Sequence, residues 1–230
     1  MTPTDDALTT LRERLALAFI VKDEGKYALD MLASVIDCVG FVSCVDTNST
    51  DNTVDLIGQY LRDNDSDFNI VSVPFTRFDE MRNLAISYVP IAFSWILMLD
   101  ADEILLAADI PTIATLISDE HADAWHLPRF NWRSEFLKPP ATPYPDYQGR
   151  LFRNYPDRRI SYKGVVHECL TGYKHISQAP ACEREDFSDA GLHIHHMKLL
   201  KKGSEELMAR ELSYRQMMEI KRLEQPDWRE

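Results

Sequence analysis

Asp100 and Asp102 stand one residue apart where the apolar run of "SWILMLDADE" (94–103) ends, with Glu103 directly behind them. Two carboxylates this close repel unless a cation or a proton lies between them. Hard divalent cations such as Mg²⁺ and Mn²⁺ favour carboxylate oxygens and keep positions open for phosphate oxygens. The pair therefore predicts a place where a metal meets a diphosphate. Taken alone, "DAD" also fits a polar strand end with capping carboxylates, so the elements around it have to decide.

Those elements alternate. "LALAFIV" (15–21), "FVSCVD" (41–46), "FNIVSV" (68–73) and "WILML" (95–99) read as short buried strands. After the second comes "NSTDNT", where Ser49, Thr50 or Asp51 could cap a helix that carries Val54, Ile57 and Leu61 at helical spacing. "RFDEMRNLAISYV" places Met81, Leu84, Ala85, Tyr88 and Val89 on one helix face. Strands alternating with helices predict an α/β fold with a mostly parallel central sheet flanked by helices. Ligands bind such sheets beyond the carboxyl ends of the strands. The groups "KDE", "DTNST" and "DADE" each follow a strand and would gather on that one rim.

The second half is less regular. "ADAWHLPRFNW" (122–132), "GRLFRN", "ISYKGVVHECL" and "GLHIHHM" (191–197) read as strands, and "KPPATPYPDY" (138–147) as a loop. "SEELMARELSYRQMMEIKRLEQ" (204–225) reads as a helix. No repeat or linker divides the 230 residues, which makes one domain with an appendage the simplest reading. The net charge is −12, but residues 129–163 hold 8 Lys/Arg against 3 Asp/Glu. A chain this acidic is a poor general binder of nucleic acid, although its basic middle could meet a small anion. Four cysteines without CxxC spacing read as buried free thiols. With no apolar run approaching ~20 residues and no basic leader, the expected location is the cytoplasm.

"LAFIVKDEGKYALDMLASVIDCVGFVSCVDTNSTDNTVDLI", "MRNLAISYV" and "WILMLDADE" together resemble the nucleotide-sugar half of inverting family 2 glycosyltransferases of the GT-A fold. In that family a "vDxgSxDxT" stretch follows the second strand and a DxD motif ends the fourth. Here "VDTNSTDNT" has Asn48 where the pattern usually has Gly. "RLFRN" and "KGVVHE" also resemble a bacterial subgroup related to lipopolysaccharide-core and peptide glycosyltransferases. The resemblance covers roughly residues 15–200. It implies that residues 1–103 form the nucleotide-sugar half, 104–200 the acceptor and catalytic half, and 201–230 a helical appendage.

The resemblance also implies roles. Val21, Lys22, Asp23 and Glu24 would line the base and ribose pocket, Asp46 would accept a hydrogen bond from the base, and Asp51 would lie near it. Arg77 and Arg82 could approach the nucleotide or orient Asp100. Asp100 would sit near the ribose or the metal, and Asp102 would ligate Mn²⁺ or Mg²⁺ directly. In "LHIHHMK", His193 and His195 share a strand face and His196 points the other way. A neutral imidazole could complete the metal shell, with His195 favoured and His193 second. A base is needed to deprotonate the acceptor hydroxyl. Glu168 is the first candidate, with His167 orienting it or the donor, and Asp146 is the second. Arg150 and Arg153 could bind the diphosphate, although a salt bridge from either to Glu168 would fit equally. Trp125, Trp132, Tyr144 and Tyr147 are candidates for stacking on an acceptor.

The expected reaction is transfer of a sugar from a nucleotide donor, UDP by default, to a hydroxyl of a glycan, lipid-linked saccharide or peptide. The basic C-terminal helix could touch the inner membrane face or a second copy in a homodimer. A non-catalytic carbohydrate- or nucleotide-binding protein of the same fold is one alternative. The other is a haloacid-dehalogenase-type phosphatase, whose DxD normally opens its fold. Absence of GxGxxG and of GxxxxGK[ST] argues against dinucleotide and P-loop chemistry.

Overall fold

The computed structural model describes residues 5–131, 144–165, 167–181 and 192–197. Its centre is β1 (Leu15–Val21), paired in parallel with β2 (Phe41–Asp46) on one side and β4 (Trp95–Met98) on the other; β3 (Phe68–Ser72) extends the sheet beyond β2. Helices α2 (Gly25–Val35), α3 (Thr53–Asp63) and α4 (Phe78–Ser87) make the crossovers, as a parallel sheet requires.

The two faces of β1 differ in size, and that difference places the helices. Leu15, Leu17, Phe19 and Val21 pack into a large apolar layer with Met31 and Leu32 of α2 and Ile57 and Leu61 of α3. The alternate residues Ala16 and Ala18 face Met81, Ala85 and Ile86 of α4. Small side chains let α4 sit close to the strands, and buried Ser43 of β2 donates to the Ala85 carbonyl at 2.7 Å. A ten-residue helix α1 (Asp5–Arg14) and α5 (Ile110–Ser118), neither expected from periodicity, complete the first layer through Leu11, Ile113 and Ile117.

The chain then turns back. β6 (Ala124–Asn131) and β7 (Asp146–Arg153) form an antiparallel pair, and β7 joins β4 antiparallel with Leu97 opposite Leu151 and Trp95 opposite Arg153. β11 (Ile194–His196) pairs with β6, and the two-residue β5 (Glu103–Ile104) pairs with β11. The strand order is β3-β2-β1-β4-β7-β6-β11-β5, with β10 (Ile176–Gln178) also on β6. Only residues 99–102 join β4 to β5, yet three strands lie between them in the sheet. The sheet therefore has to curl back on itself, and the acidic tip sits at the closure. The segment read as one strand, 160–170, is instead two short strands, β8 (Ser161–Lys163) and β9 (Cys169–Thr171), in a separate hairpin. Asn83 of α4 anchors that hairpin by donating to the Tyr162 carbonyl and accepting from the Tyr162 N–H, both at 2.8 Å.

Cys38 and Cys44 are buried free thiols as expected, and burial pushes the Cys38 thiol up to about 12. Cys169 corrects that reading, because it is exposed on β9. Cys182 and the helix expected at 204–225 lie outside the described residues. Among the described residues, no helix is long and apolar enough to cross a membrane.

Candidate active site

The loops after β1 and β2 are knitted into one ledge. Asp46, the last residue of β2, accepts from the Ser49 amide at 3.1 Å and from its hydroxyl at 2.5 Å. The turn requires a left-handed residue, and Asn48 supplies it with φ 69°. Asn is among the few residues besides Gly that visit this region readily, so the departure from the family's Gly is tolerated. Asp23, also left-handed at φ 51°, accepts from the Thr50 amide at 2.6 Å. That hydrogen bond is the main reason its carboxyl lies below the usual range. Lys22 Nζ donates to the carbonyls of Thr47 and Asn48 at 3.3 and 3.0 Å. Val21 and Glu24 are buried beneath this ledge. Asp51 accepts from the Thr53 amide at 2.9 Å at the start of α3, so among the three capping candidates it satisfies that N–H.

At the tip, Asp100 lies between two guanidiniums. Arg82 Nη2 donates to Oδ1 at 2.5 Å and Arg150 Nη2 to Oδ2 at 2.6 Å. Burial alone would raise the Asp100 pKa, but Arg150 and Arg82 together hold it well below the carboxylate range. Glu103 is fully buried; its Oε2 accepts from the Asp100 amide at 2.9 Å and its Oε1 from Arg150 at 2.8 Å and Arg129 at 3.2 Å. Arg82 reaches a further carboxylate, donating through Nε to Glu168 at 2.5 Å. The salt bridge that sequence left open for Glu168 thus forms with Arg82 on α4. Arg77, at the α4 N-terminus, pairs with Asp79 at 3.1 Å.

Arg150 and Arg153 separate, and strand geometry explains why. β7 runs antiparallel to β4, so Arg153 falls opposite Trp95 while Arg150 falls beside the tip; three residues of strand span about 10 Å, and odd spacing sends the two side chains to opposite faces. Arg153 donates to the carbonyls of Ala122 and Asp119 at 2.8 Å and stacks over Trp95. The expectation that it meets a diphosphate is corrected accordingly. Arg150 is at the site but only 3% exposed, a strut between Asp100 and Glu103.

The histidines also separate. His193 and His195 are buried with ring centroids 4.3 Å apart, and burial together with the neighbouring His193 lowers the His195 pKa to about 3. His196, on the opposite strand face, brings Nε2 to 3.5 Å from Asp102 Oδ1. The imidazole next to the second carboxylate is therefore His196 and neither of the two favoured from sequence. Asp146 is fully engaged: Oδ2 accepts from Arg129 at 2.7 Å and Asn131 at 2.9 Å, and Oδ1 from Gln148 at 2.7 Å. Burial would raise its pKa, but Arg129 and these amides hold it below the usual range. His167 is exposed and left-handed at φ 56°. Trp125 donates to the Leu116 carbonyl at 3.2 Å and packs on the core, Tyr144 packs on Phe130 and Tyr147 donates to the Ala179 carbonyl; Trp132 lies outside the described residues.

Arg129 and Asn131 were not singled out from sequence; Glu103 and His196 were named there, Glu103 as part of the acidic tip and His196 as the histidine on the other strand face. Arg129 and Asn131 are two apart on a strand and so share a face, a signal that was available. Among the described residues no three His, Cys, Asp or Glu side chains converge as a metal cage. The Asp102–His196 pair nevertheless fits a divalent ion. Adjacent ligands of an octahedral ion with bonds of about 2.1 Å lie about 3 Å apart, close to the 3.5 Å found. An oxygen and a neutral nitrogen are a donor set that Mn²⁺ accepts, and two protein ligands leave positions for phosphate oxygens.

A parallel sheet whose loops gather on one rim, continued by an antiparallel return that curls over an acidic tip, defines the GT-A class of glycosyltransferase folds. The chain belongs to glycosyl transferase family 2, whose profile matches residues 19–203. No curated protein matches it by sequence alone. In solved structures it is similar to S. aureus TarS 1–349, with 16% identity, TM-score 0.55, and 78% of this chain and 60% of that chain covered. The same TarS fragment in complex with UDP-GlcNAc aligns at 17% identity and TM-score 0.56, covering 80% and 60%. The chain thus spans about three-fifths of the length of the TarS fragment it matches, and at this identity the likeness speaks for the fold. The phosphatase alternative falls with the family and with the position of the DAD tip after three strand–helix units.

Proposed function

We propose that this chain is a metal-dependent, inverting glycosyltransferase that moves a sugar from a nucleotide-diphosphate donor to a hydroxyl of a glycan, lipid-linked saccharide or peptide. The observation that carries the reading is the Asp102–His196 pair, 3.5 Å apart at the same sheet edge as the Asp46 ledge and the partly exposed Glu168. A UDP-sugar is the first donor to test, because TarS of like fold was solved with UDP-GlcNAc.

In this scheme the ledge of Lys22, Asp23, Asp46 and Asp51 holds the base and ribose. Asp102 and His196 would hold Mn²⁺ or Mg²⁺, which would supply positive charge against the diphosphate. Glu168 takes the proton of the acceptor hydroxyl as its oxygen forms a bond to the anomeric carbon. The bond from that carbon to the phosphate oxygen breaks, its electron pair leaves with the nucleoside diphosphate, and anomeric configuration inverts. Arg82 steadies Glu168 and Asp100 together, and residues 104–200 carry the acceptor.

A thermal-shift panel of UDP- and GDP-sugars with and without Mn²⁺ tests the reading. A true donor at a hundred times its dissociation constant stabilises by about 2.7 kcal/mol, and it should do so only with metal. A panel in which no nucleotide sugar stabilises the chain, or in which metal makes no difference, would sink the proposal. The anomeric configuration of the product, read by NMR coupling constants, tests inversion separately.

A further inference from the structure

The polar side chains at the closure of the sheet form a ring, of which the scheme above uses Asp102 and His196 but not Asn131, Asp146, Arg129 or Glu103. From Asp102 it passes to His196 at 3.5 Å, from His196 Nδ1 to Asn131 Oδ1 at 2.6 Å, and from Asn131 Nδ2 to Asp146 Oδ2 at 2.9 Å. Arg129 links Asp146 at 2.7 Å to Glu103 at 3.2 Å, and Glu103 holds the Asp100 amide at 2.9 Å, at the base of the turn that carries Asp102.

The ring has a direction that can be worked out. An ionised carboxylate only accepts, so the end of Asn131 facing Asp146 is its NH₂ group. The end facing His196 is then the carbonyl oxygen, which also only accepts. A 2.6 Å contact between that oxygen and Nδ1 requires the proton on Nδ1. In the neutral imidazole the lone pair is then on Nε2, and Nε2 faces Asp102 Oδ1. In that state two acceptors face each other, and either a second ring proton or a cation between them satisfies both; the cation is the case that uses Nε2 as a ligand.

We infer that Asn131, 7% exposed on β6 in parallel register with His196, is a positioning residue that fixes His196 as its Nδ1–H tautomer and so presents Nε2 to a divalent ion shared with Asp102. The inference rests on the metal-dependent reading above and assigns Asp146 the task of orienting the Asn131 amide.

Two measurements test it. Nitrogen-15 NMR of the metal-free full chain, at a pH where the imidazole signals no longer move and with His196 assigned by its loss in His196→Gln, should show the Nδ1–H tautomer; the Nε2–H tautomer overturns the inference. Mn²⁺ is then titrated in the presence of UDP and followed by loss of the free-ion EPR signal. Asn131→Leu should weaken Mn²⁺ binding about 10–100-fold, the usual effect of losing such a partner. A purely structural Asn131 would lower the melting midpoint in chelator and leave the ion affinity of the folded protein unchanged, which would overturn the role. Unchanged affinity in Asn131→Leu with loss in Asp102→Ala removes Asn131 alone and keeps the transferase reading; a wild-type chain that binds no Mn²⁺ removes both. Should Asn131→Leu fail to fold, the wild-type tautomer still decides.

Discussion

Arg150 Nη2 lies 2.6 Å from Asp100 Oδ2, so a guanidinium already neutralises the first carboxylate of "DAD". With Arg82 on its other oxygen, Asp100 is a structural anion, whereas Asp102 faces an imidazole. Asp102→Asn should therefore abolish the Mn²⁺ dependence of donor binding, while Asp100→Asn should leave ion affinity in place. Arg150→Met should cost about 3–5 kcal/mol in urea unfolding, since it leaves buried Glu103 and Asp100 short of a cation. Equal loss of ion affinity in both Asp variants would contradict this division of roles.

Glu168 accepts from one guanidinium, Arg82, and its side chain is 13% exposed. Asp146 is surrounded by donors. Glu168→Gln should lower kcat about 10²–10⁴-fold with donor KM little changed, the range expected for loss of a general base. Asp146→Asn should act through metal binding instead, because the amide it would present no longer forces the Asn131 orientation. Steady-state kinetics against donor and Mn²⁺ concentration separate the two patterns.

Asn48 tests the ledge. Its φ of 69° suits Asn or Gly and penalises β-branched residues. Asn48→Gly should retain stability and nucleotide binding. Asn48→Val should cost about 1–2 kcal/mol of stability, the steric price of the left-handed conformation, and weaken nucleotide binding by displacing the Ser49 contacts to Asp46. Chemical denaturation and nucleotide titration would read both effects.

Asp109 gives a pH signature. It is buried, its Oδ2 accepts from the Leu106 amide at 2.8 Å, and burial raises its pKa from 3.8 to about 6. With the folded pKa above the unfolded one, the native state holds more protons between these values, so stability contributed by this group is full below the unfolded pKa and is lost as pH rises through about 6. Asp109→Asn should remove that decline, a difference of at most about 3 kcal/mol for a two-unit shift. Unfolding free energies of both proteins across pH 4 to 7 would check it, and parallel curves would refute it.

The first four strands were legible because each is a short apolar run stopped by polar turn residues. A parallel sheet buried on both faces writes that pattern locally, and it places "KDE", "DTNST" and "DADE" on one rim before any coordinates are known. α5 and β5 were not legible, the one for lack of an isolated polar face in "IPTIATLIS" and the other because two residues carry no period.

The amino-acid sequence by itself determined the α/β class, the family likeness and the carboxylates at the tip, since these depend on residue type and near-neighbour spacing. Only the tertiary structure decided between Arg150 and Arg153, between His195 and His196, and between Asp100 and Asp102 as the carboxylate beside an imidazole. Those choices depend on the antiparallel return of β7, which fixes which arginine reaches the tip, and on the curl that brings β11 against β5. Strand direction and sheet closure are long-range properties, set by which segments find each other in space, and no local pattern encodes them.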